Sequence, residues 1–571
     1  MYKPMNFYLN KKIFRVRKYE IVVYSLIACA TLLRLVLISL NWPATNSDET
    51  TIALMARHIA FNGEWPTFFY GQAYLGPVEA YLAAPLFHLF GPTLFALRLE
   101  LVLFFMLFLL GMYYLTALLH SQKFGIFITF LFSFGSGAII THHLRAIGAY
   151  AETEFFAVAI CLAVIWLALT VHRIELPRRT TVSRAWLYGA LGLIIGLSIW
   201  VDMLILPFVC LGVVFLLLFC RRECFSWAGL CLLAGLIIGL LPLIIYNLHA
   251  PAGQNSLDVL INLHDAGKNV KYSLLQKLTG TFGTGLPDGL GYVPGCVLGQ
   301  APASGTSNAT CMITRFGWSV GYLILWCVAM VMTLVTIWKI WKVRQGNSLF
   351  NPAWNFEEHR HLIVACGRLM ILIGALGTLY LYASSPVAVT APGATSRYLI
   401  CMLLSVPVVL WPLWSGLDTL LTIRKPAHLT WMLAKASLLL LVVVVYIAGT
   451  YNIFATSVPT DQATYNQQQQ IVNKLQMMHV RYFYTDYWTC NNLIFLSNEK
   501  LICGVVNPDL TNGFNRYTPY LQAVQRIDHP VYVFPRGLGQ NKELEERLKF
   551  KYFSIAYRRL DYNNYIIYLP N

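Results

Sequence analysis

Charged residues are scarce in this sequence. Of its 571 residues only 12% are Asp, Glu, Lys or Arg, whereas 57% are hydrophobic, and the mean hydropathy is +0.57. A soluble protein covers its surface with polar side chains, so this composition excludes a soluble chain of that length. The stretch 454–571 shows no glycine-rich phosphate loop, so nucleotide binding there has no support, and the sequence shows no convincing internal repeat.

Long apolar runs are what the sequence has instead. About eleven of them approach the roughly 20 residues that a helix needs to cross a bilayer. They lie near 20–40, 95–119, 124–141, 153–171, 186–200, 203–220, 226–246, 317–338, 362–383, 398–420 and 430–452. The sequence therefore predicts a polytopic α-helical membrane protein.

Basic residues mark one side of the predicted membrane. The stretch "NKKIFRVRKYE" precedes the first run, and counting crossings from it places the loops "HRIELPRRTTVSR", "RRE", "KIWKVRQ" and "IRKPAH" on the same side. By the positive-inside rule that side is the cytoplasm. We predict a multi-pass protein of the cytoplasmic (inner) membrane with its N-terminus inside and its first span retained. The net charge of +16 is dispersed over inner loops, which argues against nucleic acid as a partner.

The same count divides the chain into two predicted domains. Residues 1–453 form a transmembrane domain with outer loops 41–94 and 247–316, and 454–571 form an extracytoplasmic domain. The second domain alternates strand-like runs such as "VRYFYTD" and "PVYVF" with helical runs such as "NKELEERL", a pattern typical of a small α/β domain. Outside the membrane, the simplest disulfide pairs are Cys296 with Cys311 and Cys490 with Cys503.

The first outer loop predicts two short helices. One runs over 48–62, with Ser47 or Asp48 as N-cap and "NG" at Asn62 as its end, and reads as an amphipathic helix on the outer interface. The other lies in "GPVEAYLAAPLFHLFG". Between them, "EWPTFFYGQAY" is rich in aromatic residues, as expected of a sugar or lipid-headgroup pocket or of an aromatic belt at the bilayer surface.

Polar residues at membrane level gather on the outer side. Burying a charge at the centre of a span costs about 2.5 to 3.5 kcal/mol, so such residues call for a reason. Distant spans and loops bring them to one leaflet, as an outward-facing reaction chamber requires. The candidate site residues are Asp48, Glu49, Arg57, His58, Tyr70, Gln72, Tyr74, Glu79, His142, His143, Arg145, Tyr150, Glu152, Asp202, Arg397 and Tyr398. Adjacent histidines point in different directions on a helix or strand, which disfavours a metal shared by His142 and His143.

The chemistry expected of such a chamber is sugar transfer from a lipid carrier. An outer-face enzyme has no access to cytosolic sugar nucleotides, whereas a polyprenyl-phosphate sugar reaches it through the membrane. Breaking the bond between the anomeric carbon and phosphate releases a stabilised anion. One carboxylate acting as general base on the acceptor hydroxyl then suffices, with positive charge near the phosphate. A single displacement inverts the anomeric centre. Asp48, at the start of a short helix, suits the role of base.

Several stretches resemble bacterial GT-C membrane glycosyltransferases, the group similar to protein O-mannosyltransferases (glycosyltransferase family 39) and to the lipid A aminoarabinose transferase. The most specific is the first outer loop, "SDETTIALMARHIAFNGEWPTFFYGQAYLGPVEAYLAAPLFHLFG". "GAYAE", "GLSIWVD", "LPLIIYN", "SRYLI" and "DYWTCNNLIFLSNEKLI" follow in the family's order. The resemblance covers most of the chain. It implies an inverting transferase that uses a polyprenyl- or dolichyl-phosphate sugar, with Asp48 as the catalytic carboxylate and Glu49 as the second acid.

The sequence departs from this family at Gly76. The aminoarabinose branch has a lysine, implicated in phosphate binding, at about this position, so the cation has to come from elsewhere. Arg57, Arg145 and Arg397 are the candidates, in no order. Members of the family differ on whether a divalent metal takes part, and the sequence leaves a metal open.

Substrate identity and two other function classes also stay open at this stage. The sugar is not specified, and the acceptor is a lipid, a polysaccharide or a protein. A lipid-linked sugar transporter or flippase is the first alternative, although transporters usually show repeats and place functional charge near the midplane. A membrane assembly protein is the second, and it predicts that the acid pair has no role.

Overall fold

The computed structural model describes residues 18–171, 178–251, 253–266, 272–292, 309–343, 356–417, 426–550 and 555–571. Within these ranges, nine helical segments are long and apolar enough to cross a membrane. They are Tyr19–Ser39, Leu94–Leu119, Tyr150–Thr170, Val182–Val201, Trp227–His249, Cys311–Lys342, Glu357–Ser384, Ala394–Trp414 and Leu429–Met477. The chain is a multi-pass membrane protein.

Two further predicted spans take a different form. The run predicted as one straight span at 124–141 is broken into the helices Gln122–Ser133 and Gly137–Leu144, which meet at 88°. The break lies at Gly135, whose N–H binds the Thr450 hydroxyl at 3.0 Å, and Ser136 caps the second helix. The run predicted at 203–220 consists of a 3-10 turn, Met203–Ile205, followed by the α-helix Leu206–Phe219. Together these two elements are only about 27 Å long.

Close packing between two spans fixes the position of the turn that follows Trp200. A Cβ atom at Gly192 would lie 2.0 Å from the Leu232 carbonyl oxygen, and one at Gly235 would lie 2.0 Å from that of Gly189. The helices Arg178–Val201 and Trp227–His249 therefore approach to a distance that only glycine permits. This contact joins the helix that carries Trp200 to a neighbouring span.

Short helices complete the membrane part of the chain. Two of them follow the first span, Ser47–Arg57, extended by the π-helical turn His58–Asn62, and Val78–Phe90. The second agrees with the sequence prediction. The remaining short helices are Arg221–Cys224, Ser256–Ala266, Leu274–Gly280, Thr281–Gly285 (π), Leu286–Gly289 and Val387–Thr390.

The C-terminal part forms the predicted α/β domain. Its strands are β1 (Tyr482–Thr485), β2 (Ile502–Val505), β3 (Val531–Pro535), β4 (Tyr557–Tyr562) and β5 (Tyr565–Pro570). The sheet order is β2-β1-β3-β5-β4, with β1 parallel to β2 and β3, and β5 antiparallel to β3 and β4. The helices Tyr487–Leu496, Thr518–Gln525 and Gly539–Lys549 connect the strands.

Three features of this domain bear on the sequence predictions. The predicted Cys490–Cys503 disulfide is present, whereas Cys296 lies outside the described residues. The predicted boundary after residue 453 falls inside a continuous helix, which passes from the apolar Pro426–Asn452 through a π-helical turn to the polar Val458–Met477.

Candidate functional site

Asn46, rather than Ser47 or Asp48, caps the helix Ser47–Arg57. Its backbone is extended, with φ −135°, and its side-chain oxygen accepts the Glu49 N–H at 2.9 Å. The sequence prediction of Ser47 or Asp48 as N-cap is therefore wrong, because the residue before them takes the capping geometry. As a consequence the Asp48 carboxylate is not used as a cap and is free to make other contacts. The helix is also not a one-faced interfacial helix, since nine of its eleven residues are buried.

Asp48 is held by two side chains of the C-terminal domain. Its Oδ1 accepts hydrogen bonds from the Tyr487 hydroxyl and from Arg516 Nη2, the latter at 2.7 Å. The Asp48 side chain is 15% exposed and that of Arg516 is 7% exposed. Within the described part of the chain, Asp48 Oδ2 has no hydrogen-bond partner.

Glu49 has a different environment from its neighbour. Both of its carboxylate oxygens accept from Arg98, Oε1 from Nε and Oε2 from Nη2, each at 2.7 Å. Both side chains are fully buried, and Arg98 Nη2 also donates to the Pro43 carbonyl at 2.8 Å. This geometry gives Glu49 a role in fixing the helix against the span Leu94–Leu119 and no exposed atom for a substrate.

Four more predicted residues lie around Arg397. Its guanidinium carbon is 5.5 Å from the ring centroids of both Tyr150 and Tyr398, and Asp202 and Asp48 are within electrostatic range of it. The Arg397 Nε is buried and has no hydrogen-bond partner within the described ranges. The Tyr74 hydroxyl is within electrostatic range of Arg397, Asp202 and Arg516. Burial raises the pKa of this hydroxyl group. The structure therefore gathers Asp48, Tyr74, Asp202 and Arg397 from four separate segments.

Other predicted residues line the interior beside this group. Glu79 accepts the Ala149 N–H at 2.9 Å, and the fully buried Glu152 lies within electrostatic range of it. His142 Nε2 lies 3.2 Å from the Ser396 hydroxyl, whereas His143 Nε2 lies 2.9 Å from Glu154. The two adjacent histidines thus have separate partners. No group of three or more His, Cys, Asp or Glu side chains in the described residues is arranged to hold a metal ion.

Arg57, His58 and Tyr70 bind the C-terminal domain instead of facing the Arg397 group. Arg57 forms an ion pair with Glu499, and His58 Nε2 lies 3.0 Å from the same carboxylate. Tyr70 lies 2.9 Å from His58 Nδ1. Although burial raises the pKa of Glu499, hydrogen bonds from His58, Tyr520 and Arg57 lower it to about 2.

The last candidates are Arg145, Gln72 and the position of the missing lysine. Arg145 Nη2 donates to the Ala44 carbonyl, and Gln72 is half-buried in the turn that its N–H closes onto Phe69. Gly76 packs on Trp200, where a Cβ would lie 2.8 Å from the Trp200 carbonyl oxygen and 2.9 Å from its ring. A lysine therefore has no room at this position in the structure.

Sequence reasoning missed the residues that the C-terminal domain contributes. Tyr487 lies in the stretch "DYWTCNNLIFLSNEKLI", which resembles the GT-C family, so the sequence indicated this segment but not the residue. Arg516, in the loop "NGFNRYTPY", follows no pattern that ties it to residue 48. Only the docking of the domain brings the two together.

No family model matches the sequence, and no curated protein matches it either. Solved structures do match it. Two structures of ArnT from Cupriavidus metallidurans, one bound to undecaprenyl phosphate and one in the apo state, align over 96% of this chain and 97% of their own at 13% identity, with TM-scores of 0.54 and 0.55. The apo oligosaccharyltransferase of Archaeoglobus fulgidus aligns over 91% of this chain and 70% of its own at 14% identity, with a TM-score of 0.44. The chain has the GT-C fold of ArnT, which confirms the fold predicted from the sequence.

Proposed function

We propose that the chain is an inverting glycosyltransferase that moves a sugar from a polyprenyl-phosphate donor to an acceptor hydroxyl on the outer face of the cytoplasmic membrane. The observation that carries the proposal is the state of Asp48. One of its oxygens is held by two donors, and the other has no partner among the described residues. A carboxylate so arranged is suited to accept a proton from a hydroxyl group placed against Oδ2.

Asp48 then acts as the general base of one displacement. The acceptor hydroxyl gives its proton to Oδ2 while its oxygen bonds to the anomeric carbon. The bond from that carbon to the phosphate oxygen breaks, and its electron pair leaves with the polyprenyl phosphate. Attack from the face opposite the leaving group inverts the anomeric centre.

Arg397 is the cation that we assign to the donor phosphate. Of the three arginine candidates, Arg57 is paired with Glu499 and Arg145 is bound to the Ala44 carbonyl. In the described residues Arg397 forms no ion pair with a carboxylate, and its Nε, like that of Arg145, has no hydrogen-bond partner. Arg397 is also within electrostatic range of Asp48. A guanidinium that lies beside two tyrosine rings binds phosphate oxygens without a large loss of side-chain freedom.

The lipid carrier is supported by the fold. ArnT was captured with undecaprenyl phosphate, and the proposed donor carries the same kind of lipid phosphate. The acceptor class is a lipid, a polysaccharide or a protein, all of which carry hydroxyl groups. Glu49, deeply buried with Arg98, positions the helix of Asp48 in this proposal and does not take part in the chemistry.

The test is the product formed by purified protein with a panel of polyprenyl-phosphate sugars and a panel of acceptors. We expect an acceptor whose mass has increased by one sugar, attached with the anomeric configuration opposite to that of the donor. Transfer with retained configuration would contradict the single displacement. Movement of intact donor lipid across vesicle membranes, with no transfer to any acceptor, would contradict the enzyme assignment and favour a transporter.

A further inference from the structure

We propose that the C-terminal domain supplies part of the reaction centre, with Tyr487 and Arg516 as positioning residues for the Asp48 carboxylate. The inference rests on the proposed function, since it assigns these two residues a task in the same transfer step. The transfer step then requires the docked C-terminal domain, which does more than shield the site from solvent.

The contacts among the three side chains form a closed triangle. Tyr487 and Arg516 each donate to Asp48 Oδ1, and Arg516 Nε donates to the Tyr487 oxygen. Burial and the neighbouring Asp48 raise the pKa of Tyr487, so its hydroxyl keeps the proton that it donates. With two donors on the same oxygen, rotation of the carboxylate is restricted, and Oδ2 is presented in one direction.

Arg516 is itself fixed by further contacts. Its Nη1 donates to the Tyr70 carbonyl at 3.1 Å, and its guanidinium carbon lies 4.3 Å from the ring centroid of Phe69. An exposed ion pair contributes little order because its side chains are mobile. This pair differs, since the guanidinium is 7% exposed and every arm of its fork has a partner from the first loop or from Tyr487.

The helix that carries Tyr487 is fastened to the helix that carries Asp48. Thr50 donates to the Asn492 side chain at 2.8 Å, and the Asn491 amide donates to the Thr51 hydroxyl at 2.8 Å. The disulfide between Cys490 and Cys503 links the helix Tyr487–Leu496 to strand β2. Asp48, Thr50 and Thr51 are thus hydrogen-bonded to Tyr487, Asn492 and Asn491, respectively, and these bonds set the register between the two helices.

The consequence for the reaction concerns geometry. In the transfer step, Oδ2 has to lie within hydrogen-bond reach of the acceptor hydroxyl at the moment that its oxygen attacks the anomeric carbon. A displacement of about 1 Å in such an arrangement costs on the order of 10²-fold in rate. Tyr487 and Arg516 touch neither the acceptor nor the donor in this account, so their loss is expected in kcat and not in donor binding.

The experiment compares three variants of the full-length protein. Tyr487→Phe removes one donor to Oδ1 and keeps the ring, and Arg516→Lys keeps the charge but cannot serve Asp48, Tyr487 and Tyr70 together. The matched control is Tyr517→Phe, which removes a tyrosine hydroxyl of the same domain that bonds Glu64 and not Asp48. For each, kcat, the KM for the donor and protease resistance of the domain are measured.

We expect kcat to fall about 10-fold to 100-fold in Tyr487→Phe and Arg516→Lys, with a donor KM within about twofold of the wild type. Tyr517→Phe is expected to stay within about threefold in kcat. Wild-type kcat in the first two variants would overturn the inference, as would an equal loss in all three or a rise in protease cleavage that parallels the loss of rate. A wild-type protein that transfers no sugar from any donor would overturn the proposed function and the inference with it.

Discussion

Exchanging Glu49 for Gln removes one charge of a buried pair and leaves the other. Arg98 would keep its bond to the Pro43 carbonyl. Its Nη1 already lacks a hydrogen-bond partner in the described residues. The amide NH₂ of Gln would face an N–H of Arg98, and two donors cannot form a hydrogen bond with each other. Both side chains are fully buried, so water cannot replace the lost carboxylate oxygen. Breaking a buried ion pair in this way costs about 3 to 5 kcal/mol.

The same exchange at the neighbouring residue has a smaller expected cost. In Asp48→Asn the amide oxygen can take the place of Oδ1 and keep both hydrogen bonds, and the NH₂ group takes the place of Oδ2, which has no partner in the described residues. Arg516 loses a charged partner, but both hydrogen bonds stay and the Asp48 side chain is 15% exposed, so we expect a cost of about 1 to 2 kcal/mol. The loss of stability is thus predicted to be larger for Glu49→Gln than for Asp48→Asn.

The assay is the fraction of detergent-solubilised protein that remains folded and monodisperse after heating over a range of temperatures. Glu49→Gln is expected to lose the folded form at a clearly lower temperature than Asp48→Asn. As a control, the double variant Glu49→Leu with Arg98→Met removes both charges and is expected to recover most of the loss. The reasoning would be refuted if Glu49→Gln were as stable as the wild type, or if it stayed folded and lost transfer as completely as Asp48→Asn.

Three further predictions concern the C-terminal domain and the first loop. Because the pKa of Glu499 in the folded protein is about 2, below its ordinary value of 4.5, its contribution to domain docking is present above pH 4.5 and lost as the pH falls toward 2. Protease cleavage at the interface should rise over that range, and Glu499→Gln should flatten the rise. Gly76→Ala should reduce the folded yield, because its Cβ would lie 2.8 Å from the Trp200 carbonyl; an unchanged yield would contradict this packing. Replacing Cys490 and Cys503 by Ala should destabilise the domain by about 3 kcal/mol in chemical unfolding, and an unchanged midpoint would contradict that value.

Periodic features of the sequence predicted most of the fold. Apolar runs located the spans, and the strand-like runs "VRYFYTD" and "PVYVF" located strands β1 and β3, because burial on one or both faces imposes these patterns on the chain. The 88° break at Gly135 was not visible, since a glycine inside an apolar run is compatible with a straight helix. At the break, the Gly135 N–H binds the hydroxyl of Thr450, which lies far away in the sequence.

Part of the candidate site was predicted, because charged residues next to apolar runs are visible in the sequence. Asp48 and Arg397 stand out as charges at the ends of apolar runs. The difference between Asp48 and Glu49 could not be predicted, because it depends on which residue faces Arg98 and on Asn46 taking the capping position. Arg516 could not be predicted either, since its proximity to Asp48 comes from the docking of two domains and leaves no local pattern.

The central claim is that the Asp48 carboxylate is the base of a sugar transfer, and the most direct measurement is the turnover rate of Asp48→Asn with the donor that the wild type uses. Loss of a general base costs about 10²-fold to 10⁴-fold. We predict a fall in kcat of at least that size, with the heat stability close to that of the wild type and the donor KM within a few-fold. A turnover rate near that of the wild type would contradict the account.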